Sequence, residues 1–403
     1  MTAIEAADVL IGFARAGHDA GYPTADLEER VGVVANAFGL PDAEVAATPT
    51  TVEISVGGPP HQHTQRLRVR PAAVDLDAIA RLDDLVGDLE DGRLDAAAAM
   101  RRLDDIRLRP LRRAWPLLLA AYAGAAASLA PVLGGGPREA AAAAGVGLAV
   151  GAVAVPTRGR PQLEPLAAPV AAVAASLGAA SIVALGLRAS PDVVTLAALV
   201  TFLPGMTLTI GIRELATEHL LSGVASTASA LIQLLGLVFG VAVGSSIAES
   251  WFGRPTTEVA LPGNAFTPSD VALAVAAGLA FTLILKAQLR DAPVMCAATV
   301  LALVANAVAE VLLGEQAAVF AAALAVGLAG AAAGALRRRS PLVFVVPGVL
   351  MLVPGGAAFT SALQLLAEDT VGGLAAAFDS FVAALSIAYG LMVASLIADR
   401  ALR

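Results

Sequence analysis

The residues best suited to handle a polar solute lie at a break in a long apolar run. Pro204 and Gly205 interrupt the run at 191–212, and Thr207 and Thr209 follow them directly. A proline removes a backbone donor and a glycine admits close approach, so carbonyl groups at such a break can bind another group. We interpret this stretch as a candidate substrate site inside a membrane-spanning segment.

Five further polar residues fall within apolar runs or at their ends: Arg213, Glu214, Gln233, Asn306 and Asp379. Gln233 and Asn306 could bond a small solute, although polar residues within spans also join helices. Arg213 and Glu214 suit an ion pair, a gate or an exposed helix end. An ionised carboxylate at Asp379 costs a few kcal/mol unless it faces a cavity. Asp379 is therefore a candidate proton carrier or ammonium partner; a position near the outer water interface is the alternative.

The sequence lacks the residue sets that soluble enzymes and nucleic-acid-binding proteins use. It contains no G-x-S-x-G, no Cys/His pair and no phosphate-binding G-x-x-x-x-G-K. His61 and His63 would share one strand face, but no third ligand is placed near them, so a polar loop is favoured. Cys296 lies in an apolar run as a small packing residue. Without basic runs and interleaved aromatics, nucleic acid is not expected. We therefore expect that the chain is not an enzyme and that it binds no metal or cofactor.

Composition predicts a membrane protein. Hydrophobic residues make up 57% of the 403-residue chain, and charged residues only 15%. A soluble chain of this length needs a more charged exterior. Residues 1–113 hold much of the charge, whereas residues 115–397 read as a series of apolar runs. Glu5 and Asp8 interrupt the first residues, which excludes a signal-peptide core and predicts a cytoplasmic N-terminus.

Periodicity predicts a small α+β domain in residues 1–113. Apolar spacing indicates helices at 2–17, from an N-cap at Thr24, at 76–89 and at 94–106, and alternation indicates strands at 50–56 and 65–70. Binding, gating and packing under the membrane part are the roles that fit such a domain.

Ten apolar runs are each near the roughly 20 residues that cross a bilayer. They lie at 115–133, 140–156, 164–187, 191–212, 220–248, 270–286, 292–313, 316–336, 341–365 and 371–397. Arginine and lysine concentrate before the first run and after every second one, which places both termini in the cytoplasm by the positive-inside rule.

An internal repeat appears when the chain is shifted by 150 residues. The shift places Pro204-Gly205 on Pro354-Gly355, and further shared positions include Arg188 with Arg338, Glu218 with Glu368 and Gly240 with Gly390. Each unit holds an odd number of spans, so the second must be inverted. Inverted repeats with matching broken helices are typical of secondary transporters; simple kinks in two packed helices are the alternative.

The predicted fold is therefore an all-α polytopic membrane protein with a small α+β cytoplasmic domain at 1–113. About ten transmembrane helices form two inverted five-helix repeats, at 114–250 and 251–403.

The sequence resembles the threonine/serine exporter family. The resemblance rests on Gly21-Tyr-Pro-Thr24 with Leu27-Glu28, Leu203-Pro-Gly-Met-Thr-Leu-Thr209 with Arg213-Glu-Leu215, Ser222-Gly223, and Val345-Val-Pro-Gly348 through Leu352-Val-Pro-Gly355. It covers nearly the whole chain. It implies a cytoplasmic N-terminal region, ten spans and export of small hydroxy amino acids driven by the proton gradient. Related two-chain systems imply dicarboxylates as an alternative cargo.

The leading hypothesis is a plasma-membrane exporter that moves threonine or serine outward while protons enter. A passive channel, or a membrane sensor with a regulatory N-terminal domain, is the rival class. The sequence leaves monomer and homo-oligomer open.

Overall fold

A computed structural model describes residues 3–57, 62–70, 72–108, 113–160, 162–253, 266–352, 359, 364 and 370–402. The chain is mostly helical, at 79%. The second Pro-Gly pair, Pro354-Gly355, lies outside the described residues. The repeat at that position therefore stays a prediction.

The N-terminal region combines four helices with one small sheet. Its elements are α1 (Ala3–Asp19), α2 (Thr24–Ala37), β1 (Glu44–Thr48), β2 (Thr51–Val56), β3 (His63–Arg68), α3 (Leu76–Glu90) and α4 (Ala96–Leu108). The strands form an antiparallel meander in the order β1-β2-β3. Fully buried side chains from both kinds of element, including Phe13, Leu27 and Ile54, fill the core beneath the sheet.

Two details of the sequence prediction for this region are wrong. The sheet has a third strand, β1, whose two alanines give little strand signal. Thr24 is not the N-cap of α2, because Pro23 occupies that position and no side chain caps the helix. The Thr24 hydroxyl instead lies 2.7 Å from the Ser222 hydroxyl of a distant helix.

The remaining chain consists of apolar helices joined by short connections. These are α5 (Trp115–Val132), α6 (Pro137–Thr157), α7 (Glu164–Ala184), α8 (Pro191–Leu199), α9 (Gly205–Ala216), α10 (Leu220–Phe252), α11 (Pro268–Ile284), α12 (Ala292–Leu313), α13 (Glu315–Arg337), α14 (Leu342–Leu352) and α15 (Thr370–Leu402). Within the described residues, seven helices are long and apolar enough to cross a membrane, or eight with the bent pair α8 and α9. Two shorter apolar helices, α11 and α14, lie where the sixth and ninth spans were expected. A multi-pass membrane protein is thus confirmed, and the count of ten stays a prediction.

Two helix pairs make matching close contacts. Helices α10 and α15 both contain 33 residues and start 150 positions apart. A Cβ atom on Gly240 of α10 would lie 2.3 Å from the Pro169 carbonyl oxygen of α7. On Gly390 of α15, a Cβ atom would lie 2.8 Å from the Phe320 carbonyl oxygen of α13. The related glycines therefore admit a neighbouring helix backbone in both halves, while inversion of the halves stays a prediction.

Acidic residues along α3 bind the basic connections of the membrane part. The ion pairs are Lys286–Asp75 at 2.8 Å, Arg339–Asp84 at 2.8 Å and Arg338–Asp91 at 3.0 Å. The backbone adds a hydrogen bond of 3.1 Å from the Leu76 N–H to the Leu285 carbonyl oxygen. The connections after α11 and α13 therefore lie on the same side as the N-terminal region. That this side is cytoplasmic stays a prediction.

Candidate functional site

The predicted break at Pro204-Gly205 is confirmed. Helix α8 continues into a short 3-10 turn at Val200–Phe202, and α9 then leaves at an angle of 55°. Pro204 has no N–H to donate to the Val200 carbonyl, which instead accepts from the Leu203 N–H at 3.3 Å. The chain can therefore change direction at Pro204 and restart a helix at Gly205.

Two of the predicted site residues satisfy the groups that the break exposes. Gln233 of α10 donates a hydrogen bond of 2.7 Å to the Phe202 carbonyl oxygen at the bend, where carbonyl groups lose helical partners. The Thr209 hydroxyl donates to the Gly205 carbonyl oxygen at 2.9 Å. In this conformation both side chains stabilise the broken helix.

A small cavity of about 30 Å³ lies beside α9. Its walls come from four parts of the chain: Gly21, Pro23 and Val74 of the N-terminal region, Met206, Thr209, Ile210 and Arg213 of α9, Leu342, Val345 and Val346 of α14, and Leu391 of α15. The volume holds roughly two or three water molecules. A threonine molecule, with eight non-hydrogen atoms, is too large for it. The cavity is therefore closed to an amino acid in this conformation.

The residues at 21–24, called the 21–24 turn below, close one end of this cavity. Gly21 has a positive φ of 79°, and a Cβ atom there would lie 3.0 Å from the backbone of Ala73. Only glycine meets both conditions easily. Tyr22 and Thr24 are 6% and 8% exposed, so the turn is buried between the N-terminal region and the membrane helices.

Glu214 is the central acceptor at the contact between the turn and α9. Its side chain is buried, with the residue 3% exposed. One carboxylate oxygen accepts from the Thr24 N–H at 3.4 Å, and the other accepts from the Ser226 hydroxyl at 3.1 Å. The hydroxyls of Thr24 and Ser222 are 2.7 Å apart. The interface therefore depends on hydrogen bonds to one buried carboxylate.

Ion pairs surround this contact. Arg213 lies 3.3 Å from Asp26, the third residue of α2. The His219 ring lies 3.5 Å from Glu28, whose other oxygen accepts from the Ala47 N–H at 2.6 Å. The Arg213-Glu214 pair is thus not an exposed helix end. Each of its members binds the N-terminal region.

Small residues allow α9 and α10 to form a tight hairpin behind the turn. A Cβ atom on Gly211 would lie 2.6 Å from the Thr227 hydroxyl, and one on Gly223 would lie 2.7 Å from the Leu215 nitrogen. Either addition would force the helices apart. The glycines thereby hold Ser222 and Ser226 of α10 within reach of Thr24 and Glu214.

The turn also contacts the opposite half of the membrane part through Asp83 of α3. Tyr22 donates a hydrogen bond of 2.8 Å to one Asp83 oxygen, and the Ser340 N–H donates to the other at 2.7 Å. Burial raises the pKa of the Asp83 carboxyl, and Arg30 at 3.7 Å opposes the increase. Burial and the adjacent Asp83 charge likewise raise the pKa of the Tyr22 phenol.

The other predicted site residues lie apart from the cavity. Thr207 is half-buried on α9 and Asn306 on α12; the Asn306 side-chain oxygen is buried without a partner in the described part of the chain. Asp379 is exposed on α15, beside the exposed Phe378. It precedes the cavity-lining Leu391 by about 18 Å of helix. The structure therefore brings Thr209, Arg213 and Glu214 together without Asn306 or Asp379.

Sequence reasoning missed the residues that complete this cluster: Tyr22, Asp26, Ser222 and Ser226. The motif at 21–24 and the Ser222-Gly223 pair were visible as elements of the resemblance. Nothing in their spacing indicated that they meet, because Thr24 and Ser222 are 198 residues apart in sequence. His63 is exposed beside Gln65 on β3, and His61 lies outside the described residues.

Comparisons with known proteins match both halves of the membrane part. Residues 8–248 match the family model described as "Putative threonine/serine exporter", and residues 270–397 match "Threonine/Serine exporter, ThrE". The chain is similar to a "Probable threonine/serine exporter" of Mycobacterium tuberculosis, with 27% identity over 97% of this chain and 76% of the relative. It is also similar to a "Threonine/serine exporter" of Corynebacterium glutamicum, with 24% identity over 94% of this chain and 80% of the relative. No solved structure matches the chain.

Proposed function

Because this chain belongs to the threonine/serine exporter family, a family of membrane exporters and not of enzymes, we propose that it carries threonine and serine out of the cell. The match over residues 8–248 is the observation that carries this proposal, since it includes the 21–24 turn, the break and α9. The same stretch holds the cavity-lining side chains of the first half.

The substrate binds at the break between α8 and α9 when the protein opens. Helix α9 starts at Gly205, so its first N–H groups and its positive dipole end point into the break. These groups suit the substrate carboxylate. The carbonyl oxygens that precede Pro204, together with the Thr207 hydroxyl, suit the ammonium and side-chain hydroxyl. The sequence repeat assigns the equivalent role in the second half to Pro354 and Gly355, which lie outside the described residues.

The substrate crosses between two inverted five-span repeats, with residues 1–113 and both termini in the cytoplasm. The contacts of α3 with the connections after α11 and α13 support this orientation, because basic connections remain on the cytoplasmic side. The ten spans comprise the long helices, the bent pair α8 and α9, and the shorter α11 and α14.

Reconstitution in proteoliposomes tests the cargo. Vesicles loaded with threonine, serine, alanine or a C4 dicarboxylate should accelerate uptake of labelled threonine from outside only when loaded with threonine or serine. Acceleration by unlabelled substrate on the opposite side identifies a carrier, because a channel shows no such counterflow. Absence of labelled threonine uptake, together with uptake of a labelled C4 dicarboxylate that is accelerated by internal dicarboxylate, would replace the proposed cargo. Threonine uptake without counterflow would establish a channel.

Proton coupling is a separate part of the proposal, with Asp379 as the proton carrier. Asp379 supports this as a carboxylate exposed on α15 beside the exposed Phe378, where an ionised group is costly in lipid. Asp379→Asn should abolish threonine export driven by an imposed pH gradient while threonine–threonine exchange persists. Glu214→Gln is the matched comparison, because Glu214 is a buried carboxylate that accepts from the Thr24 N–H and the Ser226 hydroxyl. Gradient-driven export by the Asp379→Asn protein would remove Asp379 from the mechanism.

A further inference from the structure

We propose that the 21–24 turn is the gate that closes the substrate path on the side of the N-terminal region, and that it separates from α9 and α10 in every export cycle. This inference rests on the proposed function. It assigns a task to the N-terminal region.

The position of the turn supports a gate. Gly21 and Pro23 belong to the part of the cavity wall that the N-terminal region supplies, and Met206 and Ile210 belong to the part that α9 supplies. The cavity is too small for an amino acid while the turn is in place. Helix α9 starts at the break and lines the same cavity as the turn, so a path that runs along α9 to the N-terminal side passes the turn.

The contacts of the turn suit repeated opening. Thr24 binds α9 and α10 through two polar groups: its N–H donates to Glu214, and its hydroxyl bonds the Ser222 hydroxyl. Water can replace each of these hydrogen bonds when the surfaces part. The Asp26–Arg213 pair beside them is part-exposed, at 22% and 32% of the side chains, and can also hydrate.

The turn spans both halves of the membrane part. Thr24 contacts the α9–α10 hairpin of the first half, and Tyr22 reaches Ser340, before α14 in the second half, through Asp83. Rocking of one half against the other would lengthen this bridge. The Thr24 end of this bridge is held more weakly than the Asp83 end, because Asp83 is bound by Tyr22, Arg30 and the Ser340 N–H.

A reversible cross-link tests the gate. In a protein whose cysteine is removed by Cys296→Ala, the pair Thr24→Cys and Ser222→Cys replaces two hydroxyls 2.7 Å apart, a separation that a disulfide can span. Oxidation should reduce threonine export at least about tenfold, as expected when a conformational step is blocked. Dithiothreitol should restore it. Export by the oxidised protein at the rate of the reduced protein would overturn the proposal.

A matched pair within the N-terminal sheet controls for oxidation. Ser55→Cys and Thr64→Cys replace hydroxyls that are also 2.7 Å apart, on adjacent strands β2 and β3. This cross-link does not join the N-terminal region to α10, so oxidation should leave export unchanged. Equal inhibition of both cross-linked proteins would show that rigidity of the N-terminal region, and not closure at α10, inhibits export, and would overturn the gate.

A substrate-independent measurement separates failure of the gate from failure of the proposed cargo. If the reduced proteins export neither threonine nor serine, the cargo proposal fails and the gate is tested by labelling. Ile210→Cys, in the Cys296→Ala background, places a thiol in the cavity wall. A charged maleimide added on the N-terminal side should label it faster when Thr24→Val weakens the turn. Equal labelling rates in the protein that retains Thr24 and in the Thr24→Val protein would overturn the gate.

Discussion

The phenol of Tyr22 donates a hydrogen bond of 2.8 Å to the Asp83 carboxylate, 61 residues later in the chain. Both groups are buried. The Tyr22→Phe substitution should lower the free energy of unfolding by about 1–3 kcal/mol, because a buried carboxylate oxygen loses a donor. A lower melting temperature in detergent checks this. Tyr389→Phe, at a tyrosine that is 48% exposed, is the control and should melt like the unmodified protein. Equal melting temperatures of the Tyr22→Phe and Tyr389→Phe proteins would contradict the prediction.

Gln233 should be essential for the shape of the break. Gln233→Leu keeps a similar volume but leaves the Phe202 carbonyl oxygen without its donor. We expect a loss of about 1–3 kcal/mol in stability, together with slower export because α9 is no longer held in place. Ser246→Ala on the same helix is the control, since that exposed hydroxyl donates to the Ala242 carbonyl of its own helix. Unchanged export by the Gln233→Leu protein would show that the hydrogen bond is dispensable.

The related glycines should be equally intolerant of a side chain. Gly240→Ala and Gly390→Ala each place a methyl group less than 3.0 Å from a neighbouring helix backbone, and overpacking of this kind costs about 1–3 kcal/mol. Gly87→Ala, within α3, meets nothing within 4 Å and should stabilise the protein by about 0.5–1 kcal/mol. The melting temperatures of the three variants check these expected changes in stability. Tolerance at only one of the two membrane positions would contradict equivalent packing in the two halves.

The N-terminal region should lose stability in mildly acidic solution because of His18. Burial lowers the pKa of His18 below its ordinary value of 6.5, so the folded state favours the neutral ring. Below pH 6.5 the unfolded chain binds a proton that the folded chain does not. Stability then falls with falling pH by up to about 1.4 kcal/mol per unit, until the folded-state pKa is reached. His18→Gln should flatten the decrease in melting temperature between pH 7.5 and 5.5, whereas His63→Gln, at an exposed position, should not. Equal slopes of melting temperature against pH in the two variants would refute the role of His18.

The sequence predicted the membrane helices well because each one carries its own signal. An apolar run of about 20 residues identifies a span without knowledge of its neighbours. Pro204 predicted the bend for the same reason, since the missing N–H is a local property. Long-range contacts left no such signal. The spacing of Thr24, Ser222 and Glu214 in the sequence does not indicate that they share one interface.

The roles of individual polar residues depended on their partners. Gln233 and Thr209 looked like substrate ligands because their chemistry suits a small polar solute. In the folded chain, both donate to carbonyl oxygens near the break. Arg213 and Glu214 suited an ion pair, a gate or an exposed helix end, and each of them binds the N-terminal region. Which donor meets which acceptor is decided by tertiary packing, which the sequence pattern does not contain.

The ion pairs of α3 set an order of events during synthesis. Asp84 precedes its partner Arg339 by 255 residues, which at about 5–20 residues per second corresponds to roughly 13–50 seconds of translation. Earlier basic partners exist, because Arg290 lies 3.5 Å from Asp84 and Lys286 lies 2.8 Å from Asp75. The partners of the N-terminal region are therefore made in sequence order: first Arg213 of α9, then the connection after α11, and last the connection after α13. The docked state is complete only when α13 and the arginines that follow it have been made.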